Sequence, residues 1–502
     1  MPDRLKSSER WAIGAVLALM VAFGGIVLNR SAFLELRRTD ADVFFRAGWA
    51  VRTGHDLYDT VSERGWSYVY PQFFAMLMTP LADPPTPRTF EVNAADMRTL
   101  GPMRGLTPEQ AEQRALVYEQ TGRDLSGLLS SDTRWYMPFA VSVAIWYAVS
   151  LASLLLAVHL VASACTIANP RLAGLGLTPA HRGWWTLRLW PLIFALPSAG
   201  NALSRGQVDL LVLLGIAMLI FGMVQCRRWS AGIGLALAGC VKVIPGLLAI
   251  VPLWRRDWRL VATTAVGVLM MLVVIPAAVR GPSVMIQDNI RWVQTTALPA
   301  FGLGSDISRK AELISMTAND SQSFKSILHN WSQWGTPRGE RASEPGRIVR
   351  LAAIGASLLM LAITLWAARW RVPGLPRAAA TTVGPIPLHR DPTAPLLVGC
   401  VCCVMIAASP ISHLHYFVFA LPLLITLCAR PVADHPAQSL PAWLWLVGFG
   451  YLAAYAVPRL PGMTAVVDIG LMMIVGVALW AWGIVELRRQ SRSAAGLAPC
   501  LG

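Results

Sequence analysis

Charge is the first scarcity in this chain. Only 14% of its 502 residues are Asp, Glu, Lys or Arg, and the acidic residues (28) are outnumbered by the basic ones (43). An ordinary soluble domain carries about 25% charged residues, so a wholly water-exposed surface is excluded. Cysteine is sparse where it would matter. The eight residues Cys165, Cys226, Cys240, Cys400, Cys402, Cys403, Cys428 and Cys500 lie almost all in or beside apolar runs, and none falls in the two long polar stretches. That excludes a disulfide framework and a Cys/His zinc site; Cys402-Cys403 reads as packing against core or lipid. No repeat of 20–50 residues is apparent, which removes solenoids and propellers. No small-x-small cleavage site closes the first apolar run, Trp11–Leu28, although Arg4, Lys6 and Arg10 precede it. Asn29-Arg30 follows instead, and the run reads as a retained signal-anchor helix.

What the chain does have is hydrocarbon. It is 55% hydrophobic, with a mean hydropathy of +0.51, and holds many runs near the ~20 apolar residues a bilayer span needs. The fold class that follows is an all-α polytopic membrane protein of about ten transmembrane helices. A net charge of +15 invites a nucleic-acid reading. The basic residues, however, sit in short clusters between apolar runs, the pattern of cytoplasmic loops, so no nucleic-acid partner is expected and the bilayer is. Many of the 20 tryptophans stand near run ends, as Trp11, Trp135, Trp254 and Trp366 do, and read as interfacial belts.

Both termini are expected in the cytoplasm of a multi-pass cell-membrane protein: residues 1–10, and a tail over 487–502. Between them, residues 11–486 form the membrane domain, interrupted by a polar external insert at 83–134 and an external loop at 280–347. Phe73–Leu81 is too short to span and reads as a dip into the outer leaflet. In the insert, Thr107-Pro-Glu-Gln110 is a capping box opening a helix. The run Trp229–Trp254 has basic residues at both ends and Lys242 and Pro245 near its middle. Proline breaks the helical ladder, which predicts a re-entrant hairpin of two half-helices with Lys242 near the bend; one kinked span is the alternative.

Under this topology four polar groups reach one face: Asp40 and Asp42; Arg205, Gln207 and Asp209; Asn319 to Ser323, with Gln322; and His413 with His415. Carboxylate acts as general base on a hydroxyl, arginine and histidine bind phosphate, and amides read sugar hydroxyls. Each group has a plainer reading. The aspartates can solvate a loop start, Arg205 and Asp209 can form an ion pair at a helix end, His413 can be interfacial, and Lys242 can snorkel or pair with a hairpin carbonyl. A transporter or flippase would place ionisable residues along a path through the membrane, and Lys242 alone fits that. A non-catalytic envelope-assembly protein is the third class.

Several stretches carry a family resemblance. Asp40-x-x-Val43-Phe44-Phe45-x-Ala47, Gly54-x-x-Leu57-Tyr58 and Tyr68-x-Tyr70-Pro71 follow the first helix in order. Gly206-Gln207 then opens a helix, Ala231-Gly232 leads to Lys242-x-x-Pro245, and Gln322-Ser323 and Ser409-Pro-Ile-Ser412 with His415 come later. The chain resembles the GT-C membrane glycosyltransferases, specifically glycosyltransferase family 87, the polyprenol-phosphate-mannose-dependent α-mannosyltransferase-like proteins. It departs from their pattern at Phe44-Phe45, Gln72, the stretch Asn319–Ser323 and Tyr416. The resemblance implies a polyprenyl-phosphate sugar donor, most naturally mannose, a glycolipid or glycan acceptor, and an inverting displacement at the external face. It assigns Asp40 as the base, with Asp42 as second candidate. Arg205 and His415 would face the leaving phosphate, and Gln207, Asn319 and Gln322 would orient sugar or acceptor, with Lys242 and His413 beside them. No cofactor or metal is expected.

Overall fold

Nearly every apolar run becomes helix in the computed structural model. It describes residues 7–34, 37–100, 133–300, 321–337, 340–342, 344–368, 393–435, 440–461 and 465–496, with scattered residues of 108–122 and the single positions 303, 313 and 463. Among these the extended pairing is confined to a bridge between Val61 and Ser67. By length and composition six helices among the described residues can cross a membrane: Glu9–Phe33, Phe139–Ala168, Trp258–Arg280, Arg347–Ala367, Leu414–Asp434 and Val466–Ser491. The shorter apolar helices Asp209–Val224, Arg228–Val241, Ile244–Arg255 and Ala394–Ala408 accompany them. The expected set of about ten spans plus a hairpin thus divides into long and short members.

The core sits around Ala394–Ala408, where every residue from Ala394 to Ala407 is buried. Leu414–Asp434 packs beside it, 78% buried over its apolar window, whereas the first helix is only 11% buried. A helix apolar all round is stable only when lipid or other helices cover it, and around Ala394–Ala408 other helices do.

The run Trp229–Trp254 breaks where Lys242 and Pro245 predict. Arg228–Val241 ends at Lys242 in extended backbone, and Ile244–Ala249 and Ile250–Arg255 return. The two ends meet, because Arg228 Nε lies 3.2 Å from Asp257 Oδ2 and Thr263 donates to the Arg228 carbonyl at 3.0 Å. That is a hairpin, not a single span. Its first arm packs closely on Asp209–Val224: a Cβ on Gly215 would stand 2.6 Å from the Gly234 carbonyl oxygen, the close backbone approach that small residues permit between membrane helices.

Several basic residues between the apolar runs find partners on distant parts of the chain. Arg182 pairs with Glu9 at 2.5 Å, Arg171 with Asp434 at 2.8 Å, and Arg430 with Glu486 at 3.2 Å.

Two stretches hold helix where the sequence does not place it. The stretch after Arg280 begins as helix. Gly281, at φ +87°, ends one helix, and Pro282 at the first position opens another, Pro282–Trp292, which continues helically to Ala300. Arg291–Asp59 (2.5 Å) and Arg291–Asp56 pairs, with Arg280 donating to the His55 carbonyl at 2.7 Å, tie it to the 55–72 segment, and Arg280–Asp288 (2.6 Å) braces its start. The last helix also passes residue 486 and runs from Leu471 to Gly496. The short run near Phe73 forms Gln72–Leu77 and a 3-10 turn, Thr79–Leu81. In the insert, Pro87–Leu100 is helical; Arg98 pairs with Glu112 and Glu119, and Asn93 donates to the Ser62 carbonyl at 3.0 Å. Thr107 and Gln110 of the capping box lie outside the described residues.

Candidate active site

Asp40 stands at the start of helix Ala41–Thr53, yet its side chain makes no cap. Its backbone N–H donates to the Arg205 carbonyl at 3.1 Å. Its carboxylate oxygen Oδ2 accepts from Gln207 Nε2 and lies 3.7 Å from the Arg205 guanidinium. Gly206 makes this possible. It takes the left-handed conformation, φ +65°, that ends helix Arg182–Arg205, and its α-carbon lies so near Ala41 that a Cβ would stand 3.1 Å from that methyl. Trp146 Nε1 donates to the Gly206 carbonyl at 2.9 Å and holds the turn.

The Asp40 side chain remains 27% exposed. Burial raises its pKa above the ordinary aspartate value, while the charges of Arg205, Lys242 and Arg64 pull it back. Arg30 shares the same field. A carboxylate ringed by cations in a partly dry place has a neighbourhood suited to an anion.

Asp42 is elsewhere. In a helical segment two residues apart means a different face, and Asp42 is fully buried between Arg37 Nη1 and Arg46 Nε, both at 3.1 Å, while the Glu63 amide donates to it at 2.8 Å. Arg46 reaches Glu63 at 3.3 Å, and Arg37 also meets Asp83. This buried ionic cluster braces the segments on either side of Asp40. The Asp42–Arg46 spacing of four was the signal for it.

Arg205 and Asp209 do not pair with each other. Asp209, fully buried in the first turn of its helix, binds Lys242 Nζ at 2.7 Å. The lysine sits 3.5 Å above the Tyr416 ring centroid, and His415 Nε2 lies 3.6 Å from the other Asp209 oxygen. Lys242 therefore neither snorkels nor caps the hairpin. The sequence groups Asp209 with Arg205 and Gln207 and marks Tyr416 as a departure but gives neither a role; a lysine deep in an apolar run requires a counter-ion, which could have pointed to the aspartate. His413 stacks on His415 at 5.3 Å. Burial and the charges of Arg205 and Lys242 push His413 down to about 3, so it is neutral at physiological pH and offers a phosphate a hydrogen bond, not a charge.

Gln322 is occupied. Its side-chain carbonyl accepts from the Met472 amide at 3.1 Å, and its backbone N–H donates to Ser412 at 2.8 Å. Ser321 Oγ accepts from the Ser412 amide at 2.9 Å. The Gln322 stretch thus fastens the Ser409–Ser412 turn that leads into His413 and His415. Asn319 lies outside the described residues. Gln207 Oε1, Asp209 Oδ2 and His415 Nδ1 are buried and carry no hydrogen bond among the described residues. Buried polar atoms are nearly always satisfied, so three orphans in one connected group suit a polar ligand.

The sequence model of glycosyltransferase family 87 matches residues 68–386. The polyprenol-phosphate-mannose-dependent α-(1-2)-phosphatidylinositol pentamannoside mannosyltransferase of Mycobacterium tuberculosis (strain CDC 1551 / Oshkosh) is 25% identical over 329 residues, 64% of this chain and 63% of that protein. The polyprenol-phosphate-mannose-dependent α-(1-2)-phosphatidylinositol mannoside mannosyltransferase of Mycolicibacterium smegmatis (strain ATCC 700084 / mc(2)155) is 24% identical over 249 residues, 48% of each chain. The chain thus spans just under two thirds and about half the length of these relatives. The crystal structure of ArnT from Cupriavidus metallidurans bound to undecaprenyl phosphate aligns with 98% of this chain and 79% of its own, at a TM-score of 0.40 and 14% identity.

Proposed function

The chain belongs to glycosyltransferase family 87, and on that premise we propose that it transfers a hexose, mannose, from a polyprenyl-phosphate donor to a glycolipid or glycan acceptor at the external face of the cell membrane. The printed names of both curated relatives specify a polyprenol-phosphate-mannose donor and a phosphatidylinositol mannoside acceptor, which supports the donor class and the lipid character of the acceptor. The observation that carries the reading is the Asp40 carboxylate, bonded through Oδ2 to Gln207 and set beside Arg205.

Asp40 takes the proton from the acceptor hydroxyl as that oxygen attacks the anomeric carbon. The bond from that carbon to the phosphate oxygen breaks in the same step, with inversion. The leaving phosphate carries the charge away, and Arg205, with the field of Lys242 and Arg64, stabilises it where charge develops. The unpartnered Gln207 carbonyl oxygen accepts from a sugar hydroxyl. Asp209, Lys242 and His415 form the floor. The external placement is supported by the basic clusters Arg227-Arg228, Arg255-Arg256 and Arg488-Arg489, which the helix order puts at the opposite membrane face.

The test is transfer itself. Purified protein is incubated with polyprenyl-phospho-[14C]mannose and a lipid extract of its own membranes. Label should appear in a new lipid or glycan only when donor, protein and extract are all present. Translocation of intact donor across a vesicle without cleavage of the sugar–phosphate bond would make it a flippase.

A further inference from the structure

A cavity lies apart from the Asp40 group. It occupies about 370 Å³ between helices Arg347–Ala367 and Ala394–Ala408, within the range of small-molecule sites. Small side chains, Ala353, Ser357 and Ala407, line its walls. Between membrane helices such residues ordinarily let backbones close together; here they leave space. Ile354 and Leu358, 56% and 59% exposed, form its edge on the face that the outer helix turns to lipid. The groove is therefore open sideways to hydrocarbon.

One end is charged. Lys325, Arg350 and Glu344 line it together. Arg350 spends its Nε on the Pro345 carbonyl at 3.1 Å, and Lys325 Nζ has no hydrogen bond or ion pair among the described residues. Among the described lining residues two cations face one carboxylate, an excess of one positive charge. Burial and Arg350 push Lys325 down to about 8, against the opposing pull of Glu344, which marks a place short of negative charge. Ser409 and Pro410 line the groove too, so it ends at the turn that leads into His413.

We propose that this groove binds one chain of an anionic glycerophospholipid, its phosphodiester between Lys325 and Arg350, as a lipid site separate from that of the sugar donor. A phosphodiester carries the single negative charge the site lacks, and an apolar slot continuous with a cationic end matches a chain joined to an anion. Neither Lys325 nor Arg350 belongs to the Asp40 group, so the site does not rest on the transferase reading.

The experiment is native mass spectrometry of the full chain released from vesicles of equal phosphatidylglycerol and phosphatidylcholine. Wild type should retain phosphatidylglycerol over phosphatidylcholine by about tenfold, the scale of losing or gaining charge-assisted contacts. Lys325→Gln/Arg350→Gln should bring the ratio to near unity. Ser357→Trp, which fills the slot and leaves the charge, should release both lipids. Thermal midpoints of the variants establish folding, and the charge-removing pair alters only the cavity's end. Equal retention of the two lipids by wild type, or an unchanged preference in both variants, overturns the proposal. Displacement of phosphatidylglycerol by equimolar polyprenyl phosphate overturns it also, by assigning the groove to the donor. Mannose transfer, assayed on the same preparations, reports on the Asp40 reading independently.

Discussion

Replacing Asp40 and Asp42 by asparagine, one at a time, should separate two aspartates that stand two residues apart. Asp40→Asn removes a proton acceptor but keeps an oxygen to accept from Gln207. Its side chain makes no helix cap, and its ion pair with Arg205 is long, 3.7 Å, and partly exposed on both sides, which limits the stability cost to about 1 kcal/mol. The rate should nevertheless fall by about a hundred- to ten-thousand-fold, the range for loss of a general base, or about 3–5 kcal/mol of barrier at ~1.36 kcal/mol per decade. Asp42→Asn does the reverse. It leaves Arg46, buried at 0% exposure, with its Nε facing a neutral amide, and breaking such a pair costs about 3–5 kcal/mol. Single-turnover mannose transfer and thermal unfolding in detergent, on both variants, give the four numbers needed. Asp40→Asn should be slow and stable, and Asp42→Asn unstable, with the surviving folded fraction active. A stable Asp40→Asn protein transferring within about tenfold of wild type, below the range for a lost base, would refute the assignment. A stable but slow Asp42→Asn protein would move the base by two residues.

Much of this arrangement was legible from local pattern, and what was not depended on partners far away in the chain. The apolar runs located the helices because a bilayer permits little else. Pro245 and the basic brackets of Trp229–Trp254 were enough to read a hairpin, since a break and a charge count are both local. Gly206-Gln207 reads as the opening of a helix, whereas the left-handed turn at Gly206 that ends the preceding helix, and sets Gln207 against Asp40, was not legible. The pairing of charges was not local. Arg205 and Asp209, four residues apart around that turn, look like partners, but the turn separates them; Arg205 goes to Asp40 and Asp209 to Lys242, contacts that span 165 and 33 positions of sequence. The helix Pro282–Trp292 was missed because its exposed isoleucines dilute the polar pattern, although proline at its first position is a start signal. Gln322 looked like a free amide in a polar stretch, and only the folded chain brings the Met472 amide to it.

The raised pKa of Asp40 fixes the sign of a pH effect: the ionised form is the base, so transfer should decline as pH falls through a value above the ordinary aspartate range, and an acid limb at or below that range would count against Asp40. Lys242→Met strands the buried Asp209 carboxylate and should cost about 3–5 kcal/mol; Lys242→Met/Asp209→Leu should recover most of it, and a double variant as unstable as the single would show that the pair is not the unit. For orientation, cysteine at Glu91 should react with an impermeant maleimide on intact cells and cysteine at Ala180 should not, and the opposite pattern would put the site on the cytoplasmic side. The packing that aims Asp40 is testable at Gly48, midway along its helix. A methyl there would stand 2.6 Å from the Met78 carbonyl oxygen and 2.7 Å from its carbon. Backbone cannot rotate aside as a side chain can, so the helix must shift, at about 1–3 kcal/mol. A shift at Gly48 moves the helix start, where the Asp40 amide meets the Arg205 carbonyl at 3.1 Å, and a displacement of about 1 Å is enough to cost on the order of a hundredfold in rate. Gly48→Ala should therefore transfer mannose slowly with its acid limb unmoved, because the base is present but misplaced. Gly355→Ala, where a methyl meets nothing within 4 Å, is the control. If the two variants prove equally active, the close seat of Gly48 on Met78 does not position Asp40, and the ionic cluster around Asp42 must hold it alone.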